Sequence, residues 1–458
     1  MKKDNFLSVT FLVTGIISLI QVQVEAIILP KVIDTKIKTR LNRIGLQAPT
    51  SQSTLSGDVV AQQEKKWKKE YDNFFQKTFS NELMTSKAIS YKLREIEKQT
   101  KKKSAVVYMI PTAEQLEILL VMPKGETIHK SIPAAHKDAL MKITKQFQTD
   151  LKDIKNIHTT SYLASARQLY HWLIAPIEKD LKAQNIDTLV FCVGGGLRSL
   201  PFSALHDGRQ FLVEKYSISL IPAFSLTDTR YTDIRNASVL AMGASQFENF
   251  DPLPAVPVEL STIVQNQGGR SFLNNQFTLD NLKLQRQKQP YQIIHLATHA
   301  VFQSSAASYS YIQFWNTKLQ LNQLQQLQLN TPPVDMLVLS ACRTALGDHQ
   351  AELGFSGLAL EAGVKSAMGS LWSVNDEGTL VLMTEFYRHL RTAPIKAEAL
   401  RQAQIGMLKG QIRIKEGQLI QPGQKTEMRL PPELAEVGEI NLSHPYYWAA
   451  FTVIGSPW

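Results

Sequence analysis

The sequence predicts an α/β protein with a mainly parallel sheet covered by helices on both faces. Three observations carry that expectation. Short runs of apolar and β-branched residues recur at 188–193, 238–242, 291–297, 334–340 and 365–371. Runs of this length without polar alternation mark strands buried on both sides. Between and after them lie stretches with helical spacing, at 256–266, 278–286, 354–362, 377–391 and 395–408, and such alternation implies parallel neighbours. Finally, the 458 residues are 44% hydrophobic, enough for a large core in two or three structural units.

From the N-terminus, Lys2 and Lys3 precede an apolar stretch over 6–20, and Val24-Glu25-Ala26 offers small residues for a signal peptidase. Residues 1–26 are therefore read as a signal peptide cleaved after Ala26, or as an uncleaved anchor. As an anchor, 6–29 just spans a bilayer, though Gln21, Gln23 and Glu25 interrupt it. The basic residues that follow (Lys31, Lys36, Lys38, Arg40, Arg43) resist export and fit neither reading well. The expected location is exported, periplasmic or secreted, or membrane-anchored, with membrane association through the N-terminus.

Residues 27–103 are expected to be a basic linker and helical segment. Within 61–103, Trp67, Tyr71, Phe74, Phe75 and Phe79 recur every three to four residues, the spacing of an amphipathic helix docked on the main domain. The net charge of +10 is concentrated here, because residues 31–103 hold 17 Lys and Arg against 8 Asp and Glu. A solvated helical face accounts for that charge. No nucleic-acid-binding signature accompanies the lysines, so specific nucleic acid binding is not expected.

The main domain is expected over 104–458, with an N-terminal strand and helix part at 104–190 and a second part at 191–458. It opens with a strand–turn–strand signal, 105–110 and 116–122 around Pro111-Thr112-Ala113-Glu114. Two long helices are expected at about 133–154 and 160–182. The run 448–454 reads as the last strand.

There are two cysteines, Cys192 and Cys342, too few for a disulfide framework. Cys192 lies inside a strand-like run and reads as a buried, inert thiol. Cys342 ends the run Met336-Leu337-Val338-Leu339-Ser340-Ala341-Cys342, and His299 ends the run Ile293-Ile294-His295-Leu296-Ala297-Thr298-His299. Reactive groups of open α/β sheets collect at the carboxyl ends of strands. A thiol and an imidazole delivered there make a candidate nucleophile–base dyad. A helix opening near Gly354 would lower the thiol's pKa through its positive end. The backbone N–H groups of Ala300 and Cys342 are the candidate oxyanion donors.

His295 shares a strand face with His299 and reads as a core histidine bonded to backbone. His349, in a polar loop after the cysteine, is a weaker candidate base. Asp376 either caps a helix or binds a basic side chain at the cleavage position. Gly194-Gly195-Gly196 reads as a turn, since no Gly-Lys-Ser/Thr follows. There is no HExxH, CxxC or Gly-x-Ser-x-Gly, so neither a metal nor any other cofactor is expected.

Several ordered motifs resemble the CHAT domain, a caspase-like peptidase family of the caspase–separase–gingipain clan. They are Leu197-Arg198-Ser199-Leu200-Pro201-Phe202-Ser203-Ala204-Leu205, Leu296-Ala297-Thr298-His299, Leu339-Ser340-Ala341-Cys342, Ala362-Gly363-Val364, Gly369-Ser370-Leu371-Trp372-Ser373-Val374-Asn375-Asp376 and His444-Pro445-Tyr446-Tyr447-Trp448-Ala449-Ala450-Phe451 with Gly455. The resemblance implies a caspase-like three-layer αβα sandwich and a Cys–His dyad, Cys342 and His299, that cleaves a protein or peptide substrate. Two positions depart from the pattern. Relatives usually carry Gly after the histidine, where this chain has Ala300; if that position needs φ > 0, Ala costs about 1 kcal/mol. The residue after the cysteine is often acidic, and here it is Arg343. Tetratricopeptide repeats, common ahead of the domain, are replaced by the basic segment. These departures motivate the alternative, a catalytically weak or inactive module serving as a protein-binding signalling scaffold.

Overall fold

The computed structural model describes residues 52–79, 82, 84–303, 307–340, 343–344, 349–420, 428–430, 434 and 439–458. The leader and most of the linker lie outside these residues, and among the described residues no helix is long and apolar enough to cross a membrane.

The first half of the sheet grows from the predicted strand–turn–strand unit. Strands β1 (Ser104–Pro111), β2 (Leu116–Val121) and β3 (Ile128–Ile132) form an antiparallel meander. Strand β4 (Thr188–Val193) then pairs parallel to β1, and β5 (Ser217–Ile221) parallel to β4. The pleat sends successive side chains to opposite faces. Ala105, Val107 and Met109 of β1 enter one apolar cluster, while Val106 and Tyr108 enter another.

Helices supply both covers. Helices α1 (Gln52–Phe75) and α2 (Ser86–Thr100) bury Val60, Trp67, Ile89, Leu93 and Ile96 against Val106 and Tyr108. Helices α3 (Lys137–Lys152), α4 (Leu163–Leu173) and α5 (Ala175–Ala183) bury Leu140, Phe147, Leu169, Leu173 and Ile177 on the opposite face. The basic residues Lys65, Lys66 and Lys69 of α1 are exposed.

The second half holds β6 (Val239–Gly243), β7 (Gly269–Leu273), β8 (Ile293–Ala297) and, after three short strands, β12 (Met336–Leu339). Those three, β9 (Ala300–Phe302), β10 (Tyr311–Gln313) and β11 (Lys318–Gln320), make a separate small sheet with β13 (Arg343–Thr344), in the order β11-β10-β9-β13. Strand β14 (Ser366–Ser370) completes the parallel block. A third sheet, β15 (Arg413–Lys415), β16 (Gln418–Ile420) and β17 (Met428–Arg429), lies apart. The last strand, β18 (Phe451–Gly455), pairs parallel to β5 and antiparallel to β14. It seals two parallel blocks into one sheet ordered β3-β2-β1-β4-β5-β18-β14-β12-β8-β6-β7. The mainly parallel α/β expectation therefore holds.

Several boundaries differ from the sequence expectation. The expected helix over 61–103 is two helices, broken where Asp72 accepts the Phe79 N–H and resumed where the Thr85 side chain caps α2. The expected helix over 160–182 is divided at Ile174, and Pro176 lies in the first turn of α5, where its missing N–H costs nothing. The helix expected to open near Gly354 begins at His349 as α6 (His349–Ser356), followed by α7 (Leu358–Ala362). The run 448–454 is a strand only from Phe451, because residues 445–448 form a helical turn capped by His444. Strands β3, β5 and β7 were absent from the sequence reading, being short or polar.

Helix α1 and the residues just after it also reach α6 and α7. Tyr71 Oη lies 2.7 Å from Ser356 Oγ, and Lys77 pairs with Glu361. Glu70 pairs with the buried Arg198, just after the triple-glycine turn. In that turn Gly196 adopts φ +89° and its N–H donates to Glu352 Oε2 at 2.7 Å. A side chain at this position would be strained by the backbone and would meet Met141 as well. The turn expected at 194–196 is thus a junction between the sheet and α6.

Candidate active site

The strands bearing the two candidate residues are adjacent. Strands β8 and β12 pair in parallel, with Leu296 opposite Leu339, and Ser340 N–H donates to Leu296 O at 3.1 Å. His299 follows three residues after Leu296. Beyond it, β9 and β13 pair in parallel, with Arg343 opposite Val301. Cys342 itself lies outside the described residues, as does the side chain of His349.

The surroundings of His299 are well defined. Its Nε2 lies 2.9 Å from the main-chain oxygen of Asp251. A carbonyl only accepts, so Nε2 carries the proton and a neutral ring keeps Nδ1 as its acceptor. The ring stacks on Phe250 with centroids 5.0 Å apart and meets Phe247 edge-on at 4.8 Å. Burial holds its pKa below the usual histidine value, against the opposing pull of the Asp251 carbonyl. The His299 carbonyl accepts from Gln313 N–H at 2.9 Å, which fixes the backbone against β10.

Ala300 sits in β9 opposite Ile312 and is not among the residues with positive φ. The strain considered for an alanine at this position is therefore absent.

A cavity of about 680 Å³ opens beside His299. Ala300, Val301, Ser340, Ser370 and Asp376 share its lining, so the structure brings His299, Ala300 and Asp376 together. Among the described lining residues there are four carboxylate side chains (Glu248, Asp251, Glu259, Asp376) and no Lys or Arg.

Asp376 is the first residue of α8 (Asp376–Leu390) and not its cap. Asn375 holds that place, its side chain accepting from Gly378 N–H at 3.1 Å. Asp376 is thereby left facing the cavity, where its Oδ2 accepts from Ala255 N–H at 3.3 Å. Burial, reinforced by Glu259 and Glu377, pushes its pKa from 3.8 up to about 7.

His295 is fully buried, as expected, but its partners are side chains and not backbone. Its Nε2 lies 2.9 Å from Glu259 Oε1 and its Nδ1 lies 3.2 Å from Tyr387 Oη. The reason is packing: Glu259 lies on the inner face of the helix Val256–Gln267, which covers the sheet. Sequence reading missed Glu259, although a carboxylate among Val256, Leu260 and Ile263 on a core-facing stripe was a usable signal. It also missed Asp251, Phe247 and Phe250, which sit in an irregular segment with no periodicity.

Cys192 is buried, with Sγ 3.5 Å from Pro222 O, and burial raises its pKa well above the usual thiol value. It is buried, as expected. Among the described residues, no group of three or more His, Cys, Asp or Glu side chains is placed to hold a metal ion.

Sheet order and the placement of His299 at a strand's carboxyl end define a caspase-like α/β fold. The CHAT domain family model matches residues 163–456, and the chain belongs to that family. Two crystal structures of the Saccharomyces cerevisiae separase–securin complex are similar in fold. Their TM-scores are 0.50 and 0.52, at 9% and 10% sequence identity. Each match covers 90% of this chain but only 34% of the other, so the chain spans about a third of that protein's length. No curated protein matches the sequence.

Proposed function

We propose that this protein is a cysteine endopeptidase that cleaves a protein partner through an acyl-enzyme formed on Cys342. The observation that carries the proposal is the pairing on both sides of the two residues. Leu339 faces Leu296 before them, and Arg343 faces Val301 after them. Cys342 is the residue before Arg343, and the proposal places its thiol within reach of His299.

In this reading the Cys342 sulfur attacks the scissile carbonyl and His299 Nδ1 takes its proton. The imidazolium returns that proton to the leaving amine as the C–N bond breaks. Water then attacks the thioester, with His299 again as base, and releases the acid and the free thiol. Burial, by lowering the His299 pKa, favours the neutral ring that can accept a proton. Ala300 and Cys342 N–H groups would stabilise the oxyanion. Asp376, in a cavity lined by carboxylates, would take an arginine or lysine side chain preceding the cleaved bond.

The partner class is protein, in keeping with the separase–securin likeness. The N-terminal leader is proposed to bring the protein to a membrane or through it, and mass spectrometry of the native N-terminus distinguishes cleavage from anchoring.

The test is cleavage of a peptide library by the wild type, Cys342→Ala and His299→Ala. The wild type should cleave after basic residues, with His299→Ala slower by about 10²–10⁴-fold and Cys342→Ala inactive. Cleavage by Cys342→Ala at the wild-type rate would sink the proposal. A scaffold without chemistry instead predicts no product from any of the three.

A further inference from the structure

A second cleft, of about 780 Å³, lies against the first, and residues 248–250 line both. Its walls are Phe247, Phe250 and Trp315, with Gln313 and Lys318 beside them. Trp315 sits at the tip of the β10–β11 hairpin. There Phe314 N–H donates to Thr317 O at 2.8 Å and Trp315 N–H to Phe277 O at 3.0 Å, so the tip is braced. The Trp315 side chain nevertheless remains 36% exposed. Lys318 Nζ lies 5.8 Å from the Phe250 ring and 4.4 Å from that of Tyr311, holding the wall in place.

His299 lines the first cleft and not the second, Phe247 lines the second and not the first, and Phe250, stacked on His299, lines both. In the peptidase reading, the cleaved residue places its side chain beside Asp376 and the leaving amine lies on the His299 side. The cleft that adjoins the first through residues 248–250 is then open to the chain beyond the cleaved bond.

We propose that the Phe247–Phe250–Trp315 cleft is the leaving-group-side subsite of the same active site. It takes a bulky apolar or aromatic side chain one or two residues after the cleaved bond. This rests on the peptidase reading above. A braced, exposed tryptophan facing two phenylalanines supplies apolar area at little ordering cost, the character of a recognition hot spot. Continuity with the cavity beside His299 makes the substrate chain itself the occupant.

The experiment compares peptides identical through an arginine at the cleavage position, with Phe or Gly at each of the next two positions. The wild type should favour Phe at one of them by about tenfold or more in kcat/KM. Trp315→Ala should collapse that ratio towards one, and Trp315→Phe should keep most of it. If Trp315→Ala unfolds, Asn316→Trp, which crowds the same cleft, should collapse the ratio instead. An unchanged ratio in these variants, or no preference in the wild type, overturns the subsite while leaving the peptidase reading intact. Failure of the wild type to cleave any of the peptides overturns both.

Discussion

Replacing Asp376 by Asn should make the protein more stable and less selective at once. The carboxyl has a folded-state pKa of about 7 against an ordinary 3.8, because burial and the neighbouring Glu259 and Glu377 disfavour its charge. Between these values the folded chain holds a proton that the unfolded chain has released. Stability therefore falls as pH rises through that window, and the full penalty applies above about pH 7. The difference between 3.8 and about 7 has a ceiling of about 4 kcal/mol. The side chain keeps some contact with water, which trims the figure to about 2 kcal/mol. Asn cannot ionise, and its oxygen still accepts from Ala255 N–H. Urea denaturation at pH 8 should show Asp376→Asn more stable by about 2 kcal/mol, with the gap narrowing as pH falls below 7 and closing near pH 4. The same variant should lose about 30-fold or more of its preference for arginine over a neutral residue, the scale of an unpaired buried charge. Equal or lower stability of the variant at pH 8 would refute the assignment of a strained, cavity-facing carboxyl.

Other expectations concern the supports of the site. Glu259→Ala leaves the fully buried His295 without its carboxylate and should cost about 3–5 kcal/mol, read by thermal or urea unfolding. Tyr71→Phe removes the hydroxyl contact between α1 and Ser356 and should cost about 1 kcal/mol in the same assay. With an arginine peptide, kcat/KM of the wild type should rise with pH through about 7 as Asp376 ionises, and that limb should vanish in Asp376→Asn.

The parts legible in the sequence are those where one residue pattern admits one packing. The runs ending at His299 and Cys342 are apolar without alternation, which fits only strands covered twice, and β8 and β12 are such strands. Asp376 was legible as a choice between cap and ligand; Asn375 takes the cap, and Asp376 lines the cavity. The partners of the site were not legible. Asp251 acts through its carbonyl, which every residue has, so no residue type announces it. The short strand β5 is marked by serines at 217 and 219, buried because both neighbours are strands, and burial of that kind is set by topology.

The dyad is tested most directly by treating the native protein with an arginyl peptide bearing an electrophilic ketone and locating the adduct by mass spectrometry. A single adduct on Cys342, abolished in Cys342→Ala and strongly slowed in His299→Ala, is the expected result. An adduct on Cys192, or labelling of Cys342 that ignores the loss of His299, contradicts it.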